Sequence, residues 1–118
     1  MSDATHVAVL VVETCWTTAE ASQGLARLVS PSYVHHGVLG DGSLDDVTAG
    51  LRYVDSVFAE RLYVVDHVVE GDGIVAAYLR WSATRVATGE RVDGRGAYHC
   101  RVVDGLITED WDVFFPMS

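Results

Sequence analysis

Apolar positions recur at helical spacing over roughly the first 60 residues and alternate after that, so the chain changes character once, near residue 61. Asp3 can cap a helix, and Val7, Leu10, Val11 and Cys15 then fall on one helical face. The same Val7–Val12 stretch also suits a strand. A second short helix fits Ala21–Val29 and is stopped by Pro31. Tyr33–Gly37 reads as a brief extended piece, followed by the loop Gly40–Gly42. Ser43 with Asp46 three residues later forms a capping box, and Val47, Leu51, Val54 and Phe58 line one face of a helix reaching about Glu60.

The second half reads as a strand meander. Leu62–Glu70 is rich in β-branched residues, and Gly71–Gly73 is a tight turn. Ile74–Val86 is a long strand, Thr88–Gly89 a turn and Gly96–Val103 a third strand. Asp104–Gly105 is a strong two-residue hairpin signal before a last strand, Leu106–Phe115. Helices first and a sheet afterwards predict an α+β fold. The N-terminal helices would pack in a curved antiparallel sheet, a conical α+β barrel or roll with a pocket between the layers. No linker or repeat interrupts it, so residues 1–118 read as a single domain.

Residues opposite one another in an antiparallel pair share a face, so the turns decide which polar groups meet. With Asp104–Gly105 as the turn, Val103 opposes Leu106. His99 then falls opposite Asp110 and diagonal to Asp112, on one face with Arg101 and Thr108. Tyr98, Cys100, Val102, Ile107, Glu109 and Trp111 take the other face, and a bulge in either strand exchanges the two sets beyond it. On a buried face Asp110 and Asp112 repel one another, which raises at least one pKa toward the range of a neutral-pH acid or base. On an outward face they merely solvate the sheet. Pairing Glu70 with Ile74 gathers Tyr63, Val65, His67, Val69, Val75, Ala77, Leu79 and Trp81 on a mostly apolar face. There His67 is either a core residue or a ligand contact. The opposite face sets Asp66 beside Tyr78. His35 and His36 are consecutive in a strand, so at most one of them faces a pocket.

Composition narrows the chemistry. Seventeen acidic residues stand against eight basic ones, a formal charge of -9, which argues against nucleic acid and against an anionic membrane surface. All eight basic residues are arginine, and lysine and asparagine are absent. That excludes lysine Schiff bases and a Walker-type phosphate loop, and it suggests a GC-rich bacterial gene. With 49% apolar residues the chain can build a core without staples, so Cys15 and Cys100 read as free buried thiols. No HExxH, GxSxG, CxxC or GxGxxG motif occurs. Neither a metal nor a cofactor is therefore expected, and any chemistry falls to carboxylate, imidazole or phenol groups. Without a basic N-terminal region or an apolar run of ~18 residues, the expectation is a cytoplasmic protein.

Three segments resemble one family. Tyr33-Val-His-His-Gly37, Val69-Glu-Gly-Asp-Gly-Ile-Val75 and Arg101-Val-Val-Asp-Gly-Leu-Ile-Thr-Glu-Asp-Trp-Asp112 together look like the SnoaL-like polyketide cyclases. These belong to the nuclear transport factor 2-like superfamily, with ketosteroid isomerase and limonene epoxide hydrolase as cousins. The similarity runs over nearly the whole chain and is strongest in Leu62–Phe115.

The resemblance implies that Asp112, seven residues past the turn glycine Gly105, is the acid/base that closes a ring by aldol chemistry. Its histidine companion in those enzymes lies seven residues before that glycine, where this chain has Tyr98, with His99 one residue later. Either Tyr98 replaces the histidine as a donor, or the strand register brings in His99. His35 matches a further polar position of the pocket, and Trp16 an aromatic one.

The expected function is a cofactor-free cyclase or isomerase of secondary metabolism acting on a hydrophobic, polyketide-like small molecule. Asp112 would move the proton, with Tyr98, His99 or His35 as hydrogen-bond donor. Trp16, Tyr33, His67, Trp81, Trp111 and Phe115 would contact the substrate. A homodimer through the outer sheet face is expected, anchored by Trp111 or Tyr78. One rival is epoxide opening, with Arg80 or Arg101 between Asp110 and Asp112. The other is a non-catalytic binding or dimerisation module, in which side chains fill the pocket and Asp112 is exposed.

Overall fold

Helix α1 (Asp3–Leu10) runs on into a π-helical turn, Val11–Cys15, in the computed structural model, which describes residues 3–37 and 40–117. A π turn is wider than an α turn by about one residue. It brings Val11, Val12, Cys15 and Trp16 all inward and leaves Leu10, expected on the inner face, 36% exposed. Ala21–Arg27 is a 3₁₀ helix and stops short of the expected Val29. The carbonyl of Leu28 accepts a hydrogen bond from the Ile107 amide at 2.8 Å, so the chain has already joined the sheet there.

The capping box forms as expected. Ser43 Oγ accepts from the Asp46 amide, and the Ser43 amide donates to Asp46 Oδ2 at 2.8 Å. Helix α2 (Leu44–Val57) follows, and Phe58 is already extended, so the helix ends short of the expected Glu60. No residue of α2 is fully buried. Its apolar stripe of Val47, Leu51 and Val54 lines a cavity, and Val47 and Leu51 also pack against the edge of the core.

Six strands make one curved sheet: β1 (Val29–Gly37), β2 (Gly40–Gly42), β3 (Phe58–Gly71), β4 (Ile74–Arg85), β5 (Arg91–Val103) and β6 (Leu106–Met117), in the order β2-β1-β6-β5-β4-β3. Every neighbouring pair is antiparallel except β1 and β6, which run parallel. That pair departs from the fully antiparallel sheet expected. The core lies between the sheet and the N-terminal helices, with Val75, Leu79, Tyr98 and Ile107 packed against Ala8, Val11, Val12 and Leu25. Cys15 and Cys100 are buried there as free thiols.

Bulges set the faces of the residues singled out from sequence. At Asp104–Gly105, φ values of 52° and 81° allow the tight two-residue turn, and Val103 opposes Leu106 as expected. Beyond Val102 the register slips around Thr108, so Tyr98 opposes Asp112, His99 opposes Trp111 and Cys100 opposes Asp110. The extra residue lets both Ile107 and Asp110 point inward, which strict alternation forbids. In the first hairpin the turn is only Asp72–Gly73, so Gly71 opposes Ile74. A bulge at Asp66 then restores the expected pairs Val65–Leu79 and Tyr63–Trp81 but turns His67 outward. Strand β5 starts five residues before the expected Gly96, and its glycines serve packing. A Cβ on Gly94 would lie 2.2 Å from the Trp81 ring.

Candidate active site

The inward side chains of β1, β5 and β6 meet at one buried carboxylate. Asp110 is 1% exposed. Tyr33 donates its hydroxyl to Oδ1 and Oδ2, both at 2.9 Å, and Tyr98 donates to Oδ2 at 2.8 Å. His35 Nδ1 lies 2.7 Å from Oδ1. The parallel register explains the last contact, since His35 and Asp110 are partners across β1 and β6 and so share a face. Burial, then the charge of Asp110, pushes the Tyr33 and Tyr98 hydroxyls far above the ordinary phenol range. Burial likewise drives the Cys100 thiol up to about 12, so it is no nucleophile at neutral pH.

Asp112 is the next inward residue of β6. Its side chain keeps 20% of its exposure, and its Oδ1 lies 3.7 Å from His35 Nε2. Burial pushes its carboxyl up to about 6, with His35 pulling down and the charge of Asp110 pushing up. For His35, burial pulls the pKa down, but the Asp110 hydrogen bond and the Asp112 and Asp110 charges outweigh it and the net shift is upward. Asp112 thus titrates near neutrality beside an imidazole, a condition for moving a proton in either direction.

Both open onto a cavity of about 570 Å³, within the range of small-molecule sites. Its walls are Trp16, Phe58, Tyr63, Trp81 and Phe114, with the apolar stripe of α2 as one side. The Trp16 ring stands edge-on to Tyr98 at 4.7 Å and to Phe114 at 5.1 Å. Arg61 also lines the cavity. It pairs with Asp55 at 2.9 Å and donates to the carbonyls of Phe58 and Trp16, which ties the end of the π turn to the far wall. Among the described residues no group of three or more His, Cys, Asp or Glu side chains is placed to hold a metal ion. No helix among them is long and apolar enough to cross a membrane.

The residues singled out from sequence divide into two sets. Asp112, His35, Trp16 and Trp81 line the cavity, and Tyr33 and Tyr98 stand behind it on Asp110. His99, His67, Trp111 and Phe115 lie on the other face. The Thr108 bulge turns His99 and Trp111 outward, and Trp111 stacks on His36 at 4.8 Å. The Asp66 bulge does the same to His67, which sits beside Tyr78, while Asp66 pairs with Arg80 at 2.8 Å. Phe115 is 58% exposed, and its neighbour Phe114 takes the inward place. Arg80 and Arg101 also face outward, Arg101 against Glu109 at 2.9 Å, so neither stands between Asp110 and Asp112 as epoxide opening requires. Sequence reasoning missed Asp110 as the hub, along with Arg61, Phe58 and Phe114. Alternation back from Tyr63 would have found Arg61. Nothing short of the bulge would have found the hub.

Comparison with known proteins follows the same lines. Residues 11–110 match the family model of the SnoaL-like domain. A candidate SnoaL-like polyketide cyclase from Jannaschia sp. CCS1 superposes with a TM-score of 0.81 at 14% identity, over 95% of this chain and 85% of that one. IdmH, a candidate polyketide cyclase from Streptomyces antibioticus, gives 0.78 at 17% identity, over 97% and 92%. AclR, a candidate hydroxylase from Streptomyces galilaeus, gives 0.72 at 24% identity, over 86% and 72%. At these identities the likeness shows a shared fold. No curated protein matches the chain by sequence.

Proposed function

The chain belongs to the SnoaL-like family, and on that premise we propose that it is a cyclase or isomerase of secondary metabolism that moves a proton next to a carbonyl. The observation that carries the reading is Asp112, raised to about 6 on the wall of an aromatic cavity, 3.7 Å from the imidazole of His35. In an aldol closure the Asp112 carboxylate takes the proton from the carbon beside a ketone. The C–H electron pair moves into the enolate, whose oxygen accepts a hydrogen bond from Nε2–H of the protonated His35 ring. The enolate carbon then bonds to a second carbonyl carbon, and the alkoxide formed takes the proton back. In an isomerisation the proton returns to carbon instead. A preorganised donor at the developing oxyanion is usually the largest single contribution. The flat walls of Trp16, Tyr63, Trp81 and Phe114 suit a polycyclic, polyketide-like substrate.

A flat carbon acid tests this without the natural substrate. Ring opening of 5-nitrobenzisoxazole needs a base to take one C–H proton while the N–O bond breaks to a phenolate. The protein should accelerate it over buffer, and Asp112→Asn should lose roughly 10²–10⁴-fold. Equal rates for variant and wild type, or no acceleration by the wild type, would overturn the assignment. The same reading includes a homodimer through the outer sheet face, where Leu62, Tyr78 and Phe115 are exposed. A monomer in sedimentation at micromolar concentration would remove that part.

A further inference from the structure

Asp110 does not reach the cavity wall, and no step above uses it. It is nevertheless the most heavily hydrogen-bonded side chain of the site. We propose that Asp110, clamped by Tyr33 and Tyr98, is a positioning residue that holds His35 with its proton on Nδ1 and so commits Nε2 to Asp112 and the substrate.

The geometry leaves one consistent assignment of protons. A carboxylate has about four acceptor positions and no donor. Buried phenols facing a carboxylate keep their protons and donate them, which accounts for the contacts at 2.8 and 2.9 Å. His35 Nδ1 sits 2.7 Å from the same carboxylate, a distance at which a bare ring nitrogen would put two lone pairs in contact. Nδ1 therefore carries hydrogen in the neutral and in the charged ring alike. The other nitrogen, left 3.7 Å from Asp112, is the one that gains and loses a proton.

The two phenols have a separate part. With Tyr33 bridging both oxygens and Tyr98 on Oδ2, the carboxylate plane is fixed, and the imidazole plane with it. Tyr98 thus takes the place of a substrate donor in the resemblance but acts one step back, through Asp110 and His35. The proposal rests on the functional reading for its purpose, since a fixed Nε2 matters only if something uses it. Its physical content is independent of turnover.

Nitrogen-15 NMR of histidine-labelled protein decides it in the resting state. At a pH where His35 is neutral, Nδ1 should be the protonated nitrogen and Nε2 should show the shift of a bare ring nitrogen. Asp112→Asn should leave that pattern in place. Asp110→Asn should move most of the proton to Nε2 and lower kcat for 5-nitrobenzisoxazole by on the order of 10²-fold with KM nearly unchanged, as a small misplacement of a catalytic group does. A wild-type ring protonated on Nε2, or an Asp110→Asn ring still protonated on Nδ1, would overturn the proposal. Should Asp110→Asn not fold, the wild-type spectrum alone can still refute it. A normal Nδ1–H pattern with a fully active Asp112→Asn would keep this inference and discard the acid/base assignment, so the two fail separately.

Discussion

His35 and His36 are neighbours in β1, and each imidazole stands beside two carboxylates, yet they lie on opposite faces of the sheet. His36, outside, closes both nitrogens: Nδ1 is 2.8 Å from Asp41 and Nε2 is 3.0 Å from Glu109. Its ring is stacked on Trp111, and Glu109 is further held by Arg101. His35, inside, closes one nitrogen on Asp110 at 2.7 Å and leaves the other 3.7 Å from Asp112 at a cavity wall. The ingredients are the same. What differs is one incomplete contact in a more buried place. Solvent screens the outer cluster, whereas the inner pair keeps most of its field. A closed histidine is an attachment, and a half-closed one can act on a ligand.

The harshest way to break the comparison is to empty the inner half. Asp110→Ala leaves two phenols and an imidazole N–H without their acceptor in the core. Removing one partner of a buried, hydrogen-bonded set costs about 3–5 kcal/mol. Urea unfolding should show a loss of that size. Glu109→Ala, one residue earlier and on the outer face, should move the midpoint far less. Equal losses would mean that burial does not separate the two clusters.

Asp112→Asn sharpens the contrast with the opposite sign. Asp112 has a folded pKa of about 6, above its unfolded value of roughly 3.9. Its contribution to stability is therefore fully present below the unfolded value and lost as pH rises through about 6. At pH 8 the ionised, buried carboxylate costs roughly 2–3 kcal/mol, with its attraction to His35 already included in the shifted value. An amide carries no such cost. Thermal unfolding should show Asp112→Asn more stable than wild type at pH 8 and indistinguishable from it near pH 4. A variant that is less stable at pH 8 would show that Asp112 serves the fold.

Local chemistry explains which of these features could be read in the chain. Ser43 and Asp46 carry their own hydrogen bonds, and Asp104–Gly105 carries its own backbone geometry, so both were legible. The Tyr63–Trp81 and Val65–Leu79 pairs were legible as well, because the shorter turn and the Asp66 bulge cancel there. His67 and His99 were misplaced for one reason. A bulge costs one residue and reverses every face beyond it, and only the tertiary need to bury Ile107 together with Asp110 calls for the one at Thr108. The parallel pairing of β1 with β6 joins residues some 75 positions apart and leaves no local mark. Asp110, Asp112 and His35 could all be named from sequence, but the place of Asp110 between His35 and the two phenols could not.

The smallest expected effect lies on the outer face and closes the comparison from that side. Hydrogen bonds donated by His36 to Glu109 and then to Asp41 raise its pKa, so its stabilising contribution is complete at low pH and fades as pH rises through the shifted value. Its partners are solvent-exposed to different degrees, Asp41 at 68% and Glu109 at 30%, so salt should reach them. His36→Gln should lower the melting temperature only slightly at pH 6 and low ionic strength. That difference should vanish at pH 9 or in about 1 M salt, where the Debye length falls to about 3 Å. The 5-nitrobenzisoxazole rate should stay at the wild-type level throughout, because the ring lies on the far side of the sheet from Asp112. A salt-independent loss, or a slower reaction, would show that the outer histidine communicates with the inner one through the strand they share.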